Sequence, residues 1–275
     1  MKTIGTILLA LFLVCNLTIA QDTLYVYKTG SVISKRAVID IDSVTFSKNY
    51  KTPNPETVTD IDGNVYHTVK IGTQTWMLEN LKTTKYRNGE IITNETRGFM
   101  YWTGIGGKWC DYGNSSVYAT KFGHLYNGYA IRDTRNIAPT GWHIPTQAEW
   151  TTLQNYLIAN GYNYDSTTTS NKIAKSLAAG TNWFTFSDIG SVGYDLNKNN
   201  SSGFTALPSG IRYITTDNSN GFTLQGSDCY FWTSTTSAAM YDNRNYITRI
   251  SYEINYLGDG LVSWEYGCSV RCIKD

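Results

Sequence analysis

Residues 138–161, APTGWHIPTQAEWTTLQNYLIANG, restrict the fold of this chain more than any other stretch. Thr146 followed by Glu149 is the S/T-x-x-E pattern of a capping box. The threonine hydroxyl accepts from an early helix N–H, and the glutamate reaches back to the threonine amide. Trp150, Leu153 and Leu157 then recur at helical spacing, and Gly161 stands where a helix would stop. The pattern predicts an amphipathic helix over residues 147–160, entered through Pro145, with Trp150 facing the core. His143 falls on the strand before it. A lone histidine beside tryptophan is more often a packed, hydrogen-bonded group than a catalytic base. A second, shorter helix is expected over residues 170–180, capped by Ser170 or Asn171 and stopped by Gly180.

Most of the remaining chain is β-prone. Leu24 and Val26 alternate with other residues, and so does AVIDIDSVTF, so residues 21–50 read as a small β segment with a turn at Gly30. Two prolines and few apolar residues make residues 51–57 the best linker. From Val58 to Asp275 the chain reads as one domain. VTDIDGNVYHTVKIGTQTWMLENL carries an Asp-Gly-Asn turn and a second turn at Gly72-Thr73, and reads as a hairpin. Lys85 to Tyr118 is mostly loop. Strands are expected over residues 206–213 and in CYFWTSTTS, NRNYITRISYEI and GCSVRCIKD, all rich in β-branched and aromatic residues. Helices first and a run of strands after them argue an α+β fold with an antiparallel sheet.

The opening residues, MKTIGTILLALFLVCNLTIAQ, read as a signal peptide over residues 1–20. Lys2 supplies the charge, residues 7–14 the apolar run, and Thr18 and Ala20 the small residues of a cleavage site. The apolar run is too short for a membrane span, and no other segment is apolar enough for one. Lipoprotein anchoring through Cys15 is the competing reading, but Val14 stands where a small residue is wanted. A net charge of +1 without a basic stripe gives nucleic acid no electrostatic footprint. Only 16% of residues are charged, against 21 tyrosines and 8 tryptophans, a composition shared by extracellular binding surfaces and aromatic-rich β proteins. Export would permit disulfides among Cys110, Cys229, Cys268 and Cys272. If extended, Cys268 and Cys272 lie about 13 Å apart at ~3.3 Å per residue. That exceeds the roughly 7 Å a bridge tolerates, so each should pair with Cys110 or Cys229.

Six phrases in order carry a resemblance: DIDGNVYHTVKIGTQTWMLENL, FGHLYNGYA, APTGWHIPTQAEWTTL, GFTALPSGIRY, YFWTSTTS and CSVRCIKD. Together they resemble the Fibrobacter succinogenes major paralogous domain family over residues 58–275. The resemblance implies a C-type lectin-like fold: a twisted antiparallel sheet, two flanking helices and long loops. It also implies a secreted or surface-exposed bacterial protein, with adhesion or ligand binding as its role. GWHIPTQAEW and the final VRC are similar to segments of formylglycine-generating enzymes and their non-catalytic relatives. Relatives often carry a cysteine before the PSGWH-like segment, where this chain has Ile137 and Ala138, so their disulfide pattern does not transfer whole.

Three constellations could carry chemistry. His67, His124 and His143 are dispersed in sequence, and no zinc, P-loop or nucleophile-elbow pattern is present. A copper-thiol oxidase similar to formylglycine-generating enzyme would need Cys268 and Cys272 as thiolates, at a spacing one residue shorter than in those enzymes. The loop DLNKNNSSG offers Asp195, Asn197 and Asn199 as oxygen donors to calcium, the one cofactor such a loop would take. A sugar site stacks an aromatic face on a ring and surrounds it with amides. Trp102, Trp109, Tyr241 and Asn243 in loops or at strand ends fit that part, whereas Trp142, Trp150 and Trp232 lie in regular elements and read as core. The chain therefore reads as a non-enzymatic binding module for a glycan or a cell-surface protein. A structural part of a surface assembly is the alternative.

Overall fold

A computed structural model describes residues 23–28, 31–37, 56–98, 102, 104–213, 221–239 and 242–275. The expected leader, residues 51–55 of the expected linker, and the AVIDIDSVTF stretch beyond Ala37 lie outside the described residues, and the linker's last residue, Thr57, opens a strand. The chain divides into two compact units, Met1–Thr52 and Pro53–Asp275. In the first, β1 (Thr23–Lys28) and β2 (Ser31–Ala37) pair antiparallel, and the expected turn at Gly30 lies outside the described residues.

The second unit begins with β3 (Thr57–Thr59), β4 (Val65–Ile71) and β5 (Gln74–Met77), the expected antiparallel hairpin. Its first turn is built by Asp60, whose Oδ1 accepts from the backbone N–H of Asp62 and of Asn64, each at 2.9 Å. Its second turn needs glycine. Gly72 has φ +62°, and a Cβ there would meet the Tyr156 ring at 2.7 Å. The stretch expected as loop contains β6 (Thr93–Asn94) and β7 (Lys108–Cys110). Four further short elements follow: α1 (Ser116–Phe122), β8 (Leu125–Asn127), α2 (Gly128–Arg132) and β9 (Trp142–His143).

The predicted helix is α3 (Gln147–Ala159), with both halves of the capping box formed. The expected second helix shrinks to one turn, α4 (Ala174–Leu177). Asn171 does not cap it. Its side chain instead donates to the Leu257 carbonyl and accepts from the Leu257 N–H. Ser170 sits at φ +63°, and Ala178 bridges to Ala206. The tertiary partners of this segment have outcompeted its local helix signal.

Strands β10 (Ser209–Arg212), β11 (Phe222–Gln225), β12 (Asp228–Thr236), β13 (Arg244–Ser251), β14 (Gly258–Ser263), β15 (Gly267–Cys268) and β16 (Ile273–Lys274) complete the unit. A nine-stranded sheet runs β14-β13-β12-β10-β15-β8-β7-β6, with β11 beside β10, and a five-stranded sheet runs β3-β4-β5-β16-β9. The fold is α+β with far more strand than helix. The sheets are not purely antiparallel, because β10·β12 and β6·β7 pair parallel.

The C-terminal segment read as one strand serves two sheets instead. Cys268 pairs with Tyr126 in the large sheet, and Ile273 pairs with Trp76 and His143 in the small one. Between them Arg271 is completely buried. Its guanidinium donates to Asn80 Oδ1 (2.8 and 3.1 Å) and to the carbonyls of Met77 (3.2 Å) and Phe204 (2.7 Å). The end of the chain therefore ties the sheets together.

The core confirms the assignment of tryptophans to it. Trp142, Trp150 and Trp232 are all buried. Trp150, Leu153 and Leu157 of α3 pack on Trp76, Phe204 and Phe231 in one cluster, and Trp142 and Trp232 lie in another. The disulfides are a correction. Cys110, Cys229, Cys268 and Cys272 are all free and all buried. Cys110 packs with Trp102 and Leu125, Cys229 lies in the α3 cluster, and Cys268 and Cys272 share the other cluster. They act as small apolar side chains. Two large clusters give this domain enough core to dispense with covalent staples.

A candidate binding cleft around Trp109

Trp109 lies at the centre of β7, between β6 and β8. Its indole N–H donates to the Ile92 carbonyl at 3.1 Å, which fixes the ring plane. His124 precedes β8 and stacks on that ring, with centroids 4.1 Å apart and 30° between planes. Asp111, two residues after Trp109, accepts through its carboxylate Oδ1 from His124 Nδ1–H at 2.7 Å. A rigid Trp-His-Asp platform results, with Trp109 half-buried and His124 buried.

This platform forms one wall of an open cleft of about 500 Å³. Asp62 and Asn64 from the first turn line another wall with Lys82 and Thr84, and Ser116 and Thr120 of α1 line a third. Burial raises the carboxyl pKa of Asp62. The Thr84 N–H, Lys85 and the hydroxyls of Thr83 and Thr84 outweigh this and hold it below the ordinary aspartate value. Asn64 is held by Asp60 Oδ2 at 2.8 Å. The cleft thus combines an aromatic face with amide, hydroxyl, carboxylate and ammonium groups, most of them pinned in place. Such a surface can stack on a ring and exchange hydrogen bonds with it.

Of the expected binding residues that lie among the described residues, Trp102, Trp109 and Asn243, the structure places Trp109 alone in this cleft. Trp102 is a correction: it is 1% exposed. Its indole donates to the Glu265 carbonyl at 2.7 Å, and the Arg212 guanidinium lies 4.2 Å from its ring centroid. Gly267 leaves the space it fills, since a Cβ there would meet Trp102 at 2.9 Å. Asn243 is exposed just before β13, away from the cleft lining, and its carbonyl accepts from the Trp264 N–H. Tyr241 lies outside the described residues. His124 and Asp111 escaped the sequence reading. Their pairing spans 13 residues, and the histidine stood out only as one of three dispersed histidines and within the phrase FGHLYNGYA.

The Asp195 loop is organised around a different cation. The Lys175 ammonium donates to Asn199 Oδ1 (2.7 Å), to the Asp195 carbonyl (3.0 Å) and to the Tyr194 carbonyl. Asp195 itself turns to Lys198 at 3.3 Å, and Asn197 is exposed. Asp195, Asn197 and Asn199 therefore do not converge on one point, and Lys175 holds the oxygens that do. Cys268 and Cys272 stand beside no exposed surface, and burial pushes both thiols up, that of Cys272 to about 12. Neither is a ready thiolate.

His143 bridges the helix entry to the chain end. Nε2 meets Glu149 Oε1 at 2.8 Å and Nδ1 meets Asp275 Oδ1 at 2.6 Å. Burial alone would lower its pKa. The two carboxylates outweigh it and hold the pKa above the ordinary histidine value. A folded pKa above the unfolded one contributes stability that is complete below about pH 6.5 and is lost as pH rises through the folded value. His143→Gln should therefore cost more stability at pH ~5.5 than at pH ~9. The difference should be a fraction of a kcal/mol, because the side chain is 33% exposed and solvent screens the pairs. Urea melts at both pH values check it, and an equal deficit at both would contradict the charge assignment.

The Fibrobacter succinogenes major domain model matches residues 69–274. The chain belongs to this family. No curated protein and no solved structure matches it. The family match begins within β4 and ends within β16, so the large sheet and the Trp109 platform lie inside it, while β3 and the Asp60–Asn64 turn precede it. Among the described residues, no helix is long and apolar enough to cross a membrane.

Proposed function

We propose that this family domain is a secreted or surface-exposed binding module that recognises glycan in the Trp109 cleft. A C-type lectin-like scaffold is the architecture we infer for it. The observation that carries the reading is the half-buried Trp109 ring, stacked on His124 and bordering an open cleft with pinned polar walls. Aromatic rings so held offer contact area at low entropic cost, and polar groups around them give direction. Calcium takes no part in this reading, because the oxygens expected to hold it, in the Asp195 loop, already accept from the Lys175 ammonium.

A glycan array of residues 21–275 tests this, run with and without calcium on the wild type and Trp109→Ala. Calcium-independent capture is expected, and the variant should lose about 30-fold or more in affinity, the scale of a central aromatic contact. Asn243→Ala should bind like wild type. Capture that survives Trp109→Ala, or no capture at all, would defeat the reading and leave a structural role in a surface assembly.

A further inference from the structure

The charges around the Trp109 cleft are unevenly matched. Asp62 is answered on both oxygens. One pairs with the Lys85 ammonium at 3.0 Å, and the other accepts from the Thr84 N–H (2.5 Å) and from the hydroxyls of Thr84 (2.9 Å) and Thr83 (3.1 Å). Asp111 is turned to His124. Lys82 lines the same cleft, yet among the described residues its ammonium makes no hydrogen bond and no ion pair.

The backbone of Lys82 is nonetheless fixed. Its N–H donates to the Tyr66 hydroxyl at 3.0 Å, and that hydroxyl donates to Asp60 Oδ2 at 2.6 Å. Its carbonyl accepts from Asn64 Nδ2 at 3.4 Å. Leu81 and Thr83 on either side are completely buried, whereas Lys82 is half-buried and shares the wall with Asn64 and Thr84. The lysine stem therefore leaves a pinned backbone on the cleft side. An ammonium is a compact charge with three donors on a flexible stem, so it reaches a ligand acceptor without one fixed angle. On the α1 wall the hydroxyls of Ser116 and Thr120 are also without a partner among the described residues. The unspent groups of the cleft are thus rich in donors, while its carboxylates are already engaged. A ligand that brings acceptors and a negative charge complements it, because charge-assisted hydrogen bonds are stronger than neutral ones.

We propose that the Trp109 cleft selects an anionic sugar unit, one carrying a carboxylate or a sulfate, and that Lys82 is its specificity-determining residue. The proposal rests on the reading of this cleft as a glycan site: Trp109 supplies the stacking face, and Lys82 the choice among sugars.

The test compares matched methyl glycosides: glucose with glucuronic acid, galactose with galacturonic acid, and galactose with its 6-sulfate. Each is titrated into ¹⁵N-labelled residues 21–275 and followed by chemical shift, at about 0.1 M and about 1 M salt. At low salt at least one acidic member is expected to bind about tenfold or more tightly than its neutral partner. High salt should erode that ratio, since charges near the surface are screened. Lys82→Gln should bring the ratio to about one, and Lys82→Arg, which keeps the charge, should retain most of it. A preference for the uronides alone, or for the sulfated sugar alone, supports the proposal and names the anion. Neutral and acidic partners binding equally well would overturn it, as would a preference that Lys82→Gln leaves intact. Equal binding that Trp109→Ala abolishes would still support the Trp109 cleft, so the two readings fail separately. Binding that survives Trp109→Ala, or no binding by any member, defeats both.

Discussion

Replacing Trp150 by alanine destabilises the domain by about 3–5 kcal/mol, the range for deleting a large buried aromatic. The ring lies 4.8 Å from Trp76 and 5.6 Å from each of Phe204 and Phe231, centroid to centroid. These neighbours come from β5, from the loop before β10 and from β12. They are held by separate backbone ladders, so they cannot collapse together into the space, and a cavity remains. Trp150→Phe should cost much less. It keeps most of the contacts and removes an indole N–H that has no partner among the described residues. Urea unfolding of the three proteins checks both statements. A Trp150→Ala loss below about 1 kcal/mol would mean that α3 is not seated on this core.

Arg271→Met should be as damaging, at about 3 kcal/mol or more. Methionine fills much of the volume, but it abandons Asn80 Oδ1 and the Met77 and Phe204 carbonyls without donors. Each orphaned acceptor costs about 1–3 kcal/mol when buried. The guanidinium also lies 4.7 Å from the Phe204 ring centroid and 5.4 Å from that of Phe231. Burial pulls its pKa down to about 10, so it is still charged at neutral pH. Arg271→Lys should recover less than half the loss. One ammonium cannot span acceptors that a planar fork reaches on several sides. Full recovery by lysine, measured in the same urea melts, would show that charge matters here and geometry does not.

How far the residues disclosed this molecule depended on the range of the interaction. Thr146 and Glu149 meet three residues apart, and the helix they start was legible to within a residue of its end. The turns at Asp60–Asn64 and Gly72 are equally local. The helix expected over residues 170–180 failed because Asn171 found a better partner at Leu257, 86 residues away. Trp102 looked like a loop aromatic available for binding. Its burial is set by Glu265, Arg212 and the space above Gly267, none of them near it in sequence. The cysteines had the even number that bridges require, yet each is packed as a small apolar group.

From the sequence alone, this chain's family, its α+β class, its best helix, its hairpin turns and the core role of Trp142, Trp150 and Trp232 were settled. Each rests on contacts within a few residues, on periodicity, or on motifs that survive in order along the chain. Only the tertiary structure decided that the last residues join two sheets through Arg271. The stacking of Trp109 on His124 beside Asp111, and the ammonium of Lys175 among the oxygens offered to calcium, were decided at the same level. Side chains that meet across sheets leave no periodic trace in the sequence. Their pairing is selected by burial and by the cost of leaving a polar group unmatched, and both exist only once the chain has folded.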